Sequence, residues 1–214
     1  MTSPAIVAAK LASLEARTRK DKLEADAQEL SNVSLQHQLD SALSGPEHSL
    51  TYMFYNPVVG VTVVDALMTL DRWSRRMPGK PIEIIFCSPG GSVTDGFALF
   101  DFIQELRARG HTITTKCIGM AASMGAILMQ AGDERIMTRN SFMLLHEVSS
   151  EGTGSLAELS DHLKMVTRFQ AKGLDILTER STISRDDLET RWKKTDFYVD
   201  AVEALDLGLI DRIV

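Results

Sequence analysis

Cysteine is nearly missing from this 214-residue chain, which has it only at Cys87 and Cys117. Two thiols cannot build a disulfide framework, and no Cys/His cluster has the spacing of a metal site. Both sit in apolar runs, so two reduced thiols in buried strands are expected. Positive charge is also in short supply: 23 Lys and Arg stand against 29 Asp and Glu, a formal net charge of −6. Without a dense basic face to neutralise phosphates, nucleic acid is excluded as the main partner. Long apolar runs are lacking as well. The longest weakly polar stretch, Ile118 to Gly132, falls short of the roughly 18 residues that a membrane span needs. The N-terminus lacks the apolar core of a signal peptide. The expectation is a cytoplasmic protein with no metal, cofactor, nucleic-acid or membrane partner.

What is present fits one soluble globular domain with an appendage: 44% of residues are hydrophobic and 24% charged. Ser3-Pro4 opens a helical pattern that runs without Gly or Pro to Gly45-Pro46. Its composition of Ala, Leu, Glu and Lys favours helix. Glu15 with Arg19, Lys20 with Glu24 and Lys22 with Asp26 are opposite charges four apart. Its leucine stripe is too broken for a coiled coil. Residues 1–45 are therefore expected to form a charged helical extension, and residues 46–214 the main domain.

Beyond Gly45-Pro46 the pattern alternates. Strands are expected at Leu50–Tyr55, Ile82–Cys87, His111–Ile118, Arg135–Thr138, Phe142–His146, Phe197–Val199 and Leu209–Val214. Helices are expected at Val61–Met77, Val93–Arg109, Ser123–Ala131, Ser155–Glu179, Ser184–Lys193 and Ala201–Asp206. Strands alternating with helices imply parallel β-α-β units and an α/β domain.

Three places carry chemistry. In Gly119-Met120-Ala121-Ala122-Ser123-Met124-Gly125, small residues surround one serine where a strand gives way to a helix. This approaches the G-x-S-x-G nucleophile elbow, with Ala121 in place of the first glycine. The bland reading of Ser123 is a helix N-cap. Ser88-Pro89-Gly90-Gly91 follows a buried strand, and its glycines let backbone N–H groups approach a ligand closely. Of five histidines, His146 stands out because it ends an apolar strand, whereas His111 is expected at the surface and His162 in a charged helix. A serine hydroxyl needs a base, and the base needs a third group to hold its tautomer. Asp196 suits that role, but so do Asp95, Asp200 and Asp211.

These residues, taken together over 82–214, resemble the proteolytic subunit of the Clp protease. Ser88-Pro89-Gly90-Gly91-Ser92-Val93-Thr94 with Gly96 is similar to that family's substrate-cradling loop, and Gly119 to Gly125 to its nucleophile motif. Met143-Leu144-Leu145-His146 and Ala201-Val202-Glu203-Ala204 with Gly208-Leu209-Ile210-Asp211 match two further signatures. The resemblance implies Ser123 as nucleophile, His146 as base and Asp196 as its orienting residue. It implies the backbone N–H groups of Gly91 and Met124 as oxyanion hole, and Gly90, Ser92 and Val93 at the substrate. It also implies a Clp protease and crotonase-type spiral of β-β-α units, polypeptide substrates, and heptameric rings that pair around a chamber through the helix from Ser155. Three departures stand out. The match is loose before residue 80, where part of a partner-docking surface would lie. Glu147-Val148 follows the histidine where the family usually has Gln-Pro. The helical N-terminus replaces the usual strand and axial loop, which argues against docking to an ATPase unfoldase. A divergent member is expected, such as a phage-type capsid-maturation protease or a stand-alone peptidase.

Three rivals carry less. A crotonase-type acyl-CoA enzyme would not need the Ser, His and Asp set. A Ser/Lys peptidase would need a lysine near Ser123, where Lys116 is the only one close in sequence, and would leave His146 unexplained. A catalytically silent scaffold or ring partner would not need a working site.

Overall fold

The chain divides into two units, residues 1–48 and 49–214. The computed structural model describes residues 50–193 and 195–214. The helix expected over residues 4–43 lies outside the described residues.

Three hydrophobic strands begin the described unit: β1 (Leu50–Phe54), β2 (Ile82–Ser88) and β3 (Ile113–Ala122). Alternate residues of β2 are buried, Ile82, Ile84 and Phe86 among them, which is the period of a strand with one face on the core. Helix α1 (Gly60–Arg76) connects β1 to β2, and α2 (Val93–Ala108) connects β2 to β3. Each joins parallel neighbours, as a crossover must. Short α3 (Met124–Met129) then leads to β4 (Glu134–Met137) and β5 (Phe142–Leu145). Long α4 (Leu156–Thr178), α5 (Arg185–Trp192), β6 (Phe197–Asp200), α6 (Ala201–Asp206) and β7 (Arg212–Ile213) complete the unit. The sheet order is β1-β2-β3-β4-β7, with β5 beside β3 and β6 beside β5.

The position of the site depends on a fork in β3. Its first half pairs with β4 at Thr114–Cys117, and its second half pairs with β5 at Met120–Ala122. Gly119, at φ +67°, sits between the two halves. A left-handed residue without a Cβ lets the strand leave one neighbour and join the other. Among the described residues the only antiparallel pairing is β5 with β6, in which Leu145 faces Phe197.

Four expectations need correction. β3 continues to Ala122, past the expected end at Ile118, because Met120-Ala121-Ala122 finds β5 as a partner. The closing strand shrinks to Arg212–Ile213, since Leu209 and Ile210 instead donate their N–H groups to the Ala204 carbonyl and finish α6. His111 is buried, 3% exposed, with Nδ1 on the Lys80 carbonyl (2.8 Å) and Nε2 on Ser74 Oγ (3.0 Å). Cys117 is buried, and burial pushes its thiol up to about 12, but Cys87 on the opposite face of β2 is half-buried.

Candidate active site

Ser123 is the only non-glycine residue with positive φ among the described residues, at φ +53° and ψ −119°. An L-residue holds such a conformation only where its surroundings over-determine it. Here the Ser123 N–H donates to the Leu144 carbonyl of β5 (2.7 Å), and the Ser123 carbonyl accepts from Ala126 of α3 (3.0 Å). The serine is at the N-cap position of α3, yet its side chain makes no capping hydrogen bond. It caps the helix by position only, and among the described residues its hydroxyl has no hydrogen-bond partner.

The loop after β2 presses against this turn. A Cβ on Gly90 would lie 2.7 Å from both the Ala122 carbonyl oxygen and the Ser123 Cβ. A Cβ on Gly91, at φ +149°, would lie 2.2 Å from the Val58 carbonyl oxygen. Only glycine fits at either position. The loop is fixed from two sides. Val58 donates to the Gly90 carbonyl (2.8 Å) and accepts from the Ser92 N–H (2.7 Å), while the Gly90 N–H donates to Ser88 Oγ (3.2 Å). These bonds use both polar groups of the Gly90 backbone. Among the described residues, no protein acceptor takes the N–H of Gly91 or of Met124. Helix α2 begins at Val93 with Ser92 as its N-cap, so the extended chain after Gly91 ends at Ser92.

His146 follows β5 directly. Its Nδ1 is 2.6 Å from the Glu147 carbonyl oxygen. A carbonyl only accepts, so Nδ1 is the donor in this contact, and in the neutral ring Nε2 is then the nitrogen with the lone pair that a base requires. Gly91, Val93, Ser123, Met124 and His146 line one cavity. Phe97, Ile127, Phe169, Leu177 and Trp192 form its apolar walls, and Gln170 adds an amide. The sequence reading missed these wall residues. They come from helices far apart in the chain and carry no local motif.

Asp196 is exposed and lies just before β6. Extending the antiparallel register one step past Leu145 and Phe197 places it across from His146. No hydrogen bond joins Asp196 to His146 among the described residues, and none joins Ser123 to His146. Two of the competing acids are committed elsewhere. Asp200 caps α6 by accepting from Val202 and Glu203 (both 2.9 Å), and Asp211 is bound to Arg135. Asp95 sits in the first turn of α2.

The parallel sheet thus brings Ser123, with its left-handed backbone, and His146 to one cavity. The Clp protease family model matches residues 55–214, and the chain belongs to that family. It is 35% identical over 165 residues to "ATP-dependent Clp protease proteolytic subunit 1" of Chlamydia pneumoniae, covering 75% of this chain and 84% of that protein. The proteins of the same title from Chlamydia muridarum (strain MoPn / Nigg) and Chlamydia abortus (strain DSM 27085 / S26/3) are 32% and 33% identical, with the same coverage.

Proposed function

We propose that this chain is a serine endopeptidase that hydrolyses peptide bonds in unfolded or accessible polypeptides within an oligomeric chamber. The observation that carries the reading is Ser123. Its backbone is strained at a strand-to-helix turn, its hydroxyl is uncommitted, and it shares a cavity with a histidine whose Nε2 is free. In this mechanism His146 Nε2 takes the hydroxyl proton as Ser123 Oγ attacks the scissile carbonyl. The N–H groups of Gly91 and Met124 receive the oxyanion, and His146 then hands its proton to the leaving amine. Water repeats the sequence on the acyl-enzyme. Asp196 becomes the partner of Nδ1 when the imidazole turns away from the Glu147 carbonyl, a tightening that occurs on substrate binding. Gly90 shapes the loop beneath the substrate, and Ser92 and Val93 flank it.

The chamber reading rests on family membership and on the relatives' title as proteolytic subunits. The hydrolytic step itself needs no nucleotide. Residues 1–45 precede the family match at 55–214, and the phage-type or stand-alone role is proposed on the helical sequence pattern of that extension alone. Co-purification with an ATPase unfoldase that is lost on deleting residues 1–45 would oppose that role.

A fluorophosphonate probe tests the chemistry. It should modify Ser123, located by mass spectrometry, and labelling should vanish in Ser123→Ala. Absence of labelling between pH 6 and 9 in the intact oligomer would replace the peptidase with a silent scaffold.

A further inference from the structure

The loop that carries His146 has a second anchor, and it comes from α4. Val148, two residues past the histidine, donates its backbone N–H to Gln170 Oε1 at 3.3 Å. Gln170 is half-buried, and both residues line the cavity that holds Ser123 and His146. Val148 stands where the family pattern has proline, so this half-buried position has an N–H that Gln170 can accept. A second tie to α4 lies further on, between Ser150 Oγ and His162 Nε2 (2.6 Å), at the exposed end of the loop. Residues 146–154 have no regular secondary structure, and the His146 ring contacts the carbonyl of its own neighbour, Glu147. A bond between adjacent residues orients the ring relative to the loop. The loop's near end is held at Ser123 by the bond from the Ser123 N–H to the Leu144 carbonyl. Past the histidine, the Gln170 amide ties it to α4, which is joined to the core through Gly173, Leu174, Ile176 and Leu177, one or two turns further along the same helix.

We infer that Gln170 is a positioning residue. By accepting the Val148 N–H it holds the chain on the far side of His146, and so the placement of the imidazole against the Ser123 hydroxyl. The inference rests on the serine peptidase reading. It concerns geometry in the reacting state, so it predicts loss of turnover with binding spared, because a small misplacement of a base slows the reaction far more than it weakens substrate binding.

The test measures kcat and KM on an internally quenched peptide, with fluorophosphonate labelling of Ser123 alongside. In Gln170→Leu, kcat and the labelling rate should fall about tenfold, with KM within about twofold of wild type. Gln170→Glu keeps an acceptor and should recover most of kcat. Its carboxylate near the imidazole favours the protonated ring, so the acid limb of the pH–rate profile should move to higher pH. Val148→Pro removes the donor, and in that background Gln170→Leu should have no further effect. Thermal melts of each variant separate loss of position from loss of fold. Unchanged kcat in Gln170→Leu overturns the inference while Ser123 still labels, and so do effects of Gln170→Leu and Val148→Pro that multiply. Failure of wild-type Ser123 to label defeats the peptidase reading itself, and the inference with it.

Discussion

Gly91 has no side chain, yet the site turns on it. A methyl group there would meet the Val58 carbonyl oxygen at 2.2 Å, and φ +149° already lies outside the range of L-residues. Gly91→Ala must move the loop, and with it the N–H proposed for the oxyanion. Peptidase kcat should fall roughly 10²–10³-fold, as for loss of one oxyanion donor, while KM changes little. A variant with wild-type kcat would remove Gly91 from the oxyanion hole. The sequence made this position legible, since two glycines after a buried strand announce a close approach. Residue type and position did not separate Asp196 from Asp95, Asp200 and Asp211, and only the family resemblance named it. The β5–β6 register, the capping role of Asp200 and the ion pair of Asp211 are compatible with that choice, and all are long-range facts without a local pattern. His111 misled for the same reason. A histidine after glycine at a strand start reads as surface, and its partner Ser74 lies 37 residues away.

Among the elements, β4 and the turn into β7 are locked by one ion pair. Arg135, 3% exposed in its side chain, meets Asp211 at 2.5 Å, and the Arg135 N–H also donates to that carboxylate (2.8 Å). Burial alone would raise the Asp211 carboxyl. It is outweighed by the side-chain and backbone hydrogen bonds from Arg135 and by the charges of Arg135 and Arg180, which hold the group below the usual carboxylate range. A depressed folded value means that the stabilisation is complete above the unfolded value of about 3.9. It is lost as pH falls through the folded value. Asp211→Asn should therefore cost about 2 kcal/mol at pH 7, less than a fully buried pair because Asp211 is one-third exposed. The difference should shrink below about pH 4. Urea midpoints at pH 7 and pH 3.5 check this, and an equal gap at both would contradict it. The elements themselves were largely readable. The apolar period of α1 and the Ser155 start of α4 placed both helices to within a residue or two. The fork of β3 was hidden, because Met120-Ala121-Ala122 looks like a turn until β5 offers it a partner.

At the scale of the whole molecule, α4 poses a question that one chain cannot answer. Its buried residues begin at Gly173, whereas Leu156, Leu159, Leu163 and Met165 in its first half are exposed. The leucines recur at three- and four-residue steps, which is the stripe of a helix that packs on something. A chamber built from paired rings would cover it. Leu163→Asp should then halve the mass in solution, measured by light scattering, without altering the circular dichroism spectrum. An unchanged mass would place the ring-to-ring contact elsewhere. The strain at Ser123 also has a consequence for heat resistance. The left-handed turn suits glycine, and relieving roughly 1–3 kcal/mol of strain exceeds the roughly 0.5–1 kcal/mol of extra chain entropy that glycine loses on folding. Ser123→Gly should melt about 2–4 °C higher by calorimetry, and a lower melting point would contradict this. On the proposed reading, a nucleophile at this turn is held at the expense of thermal tolerance that glycine there would return.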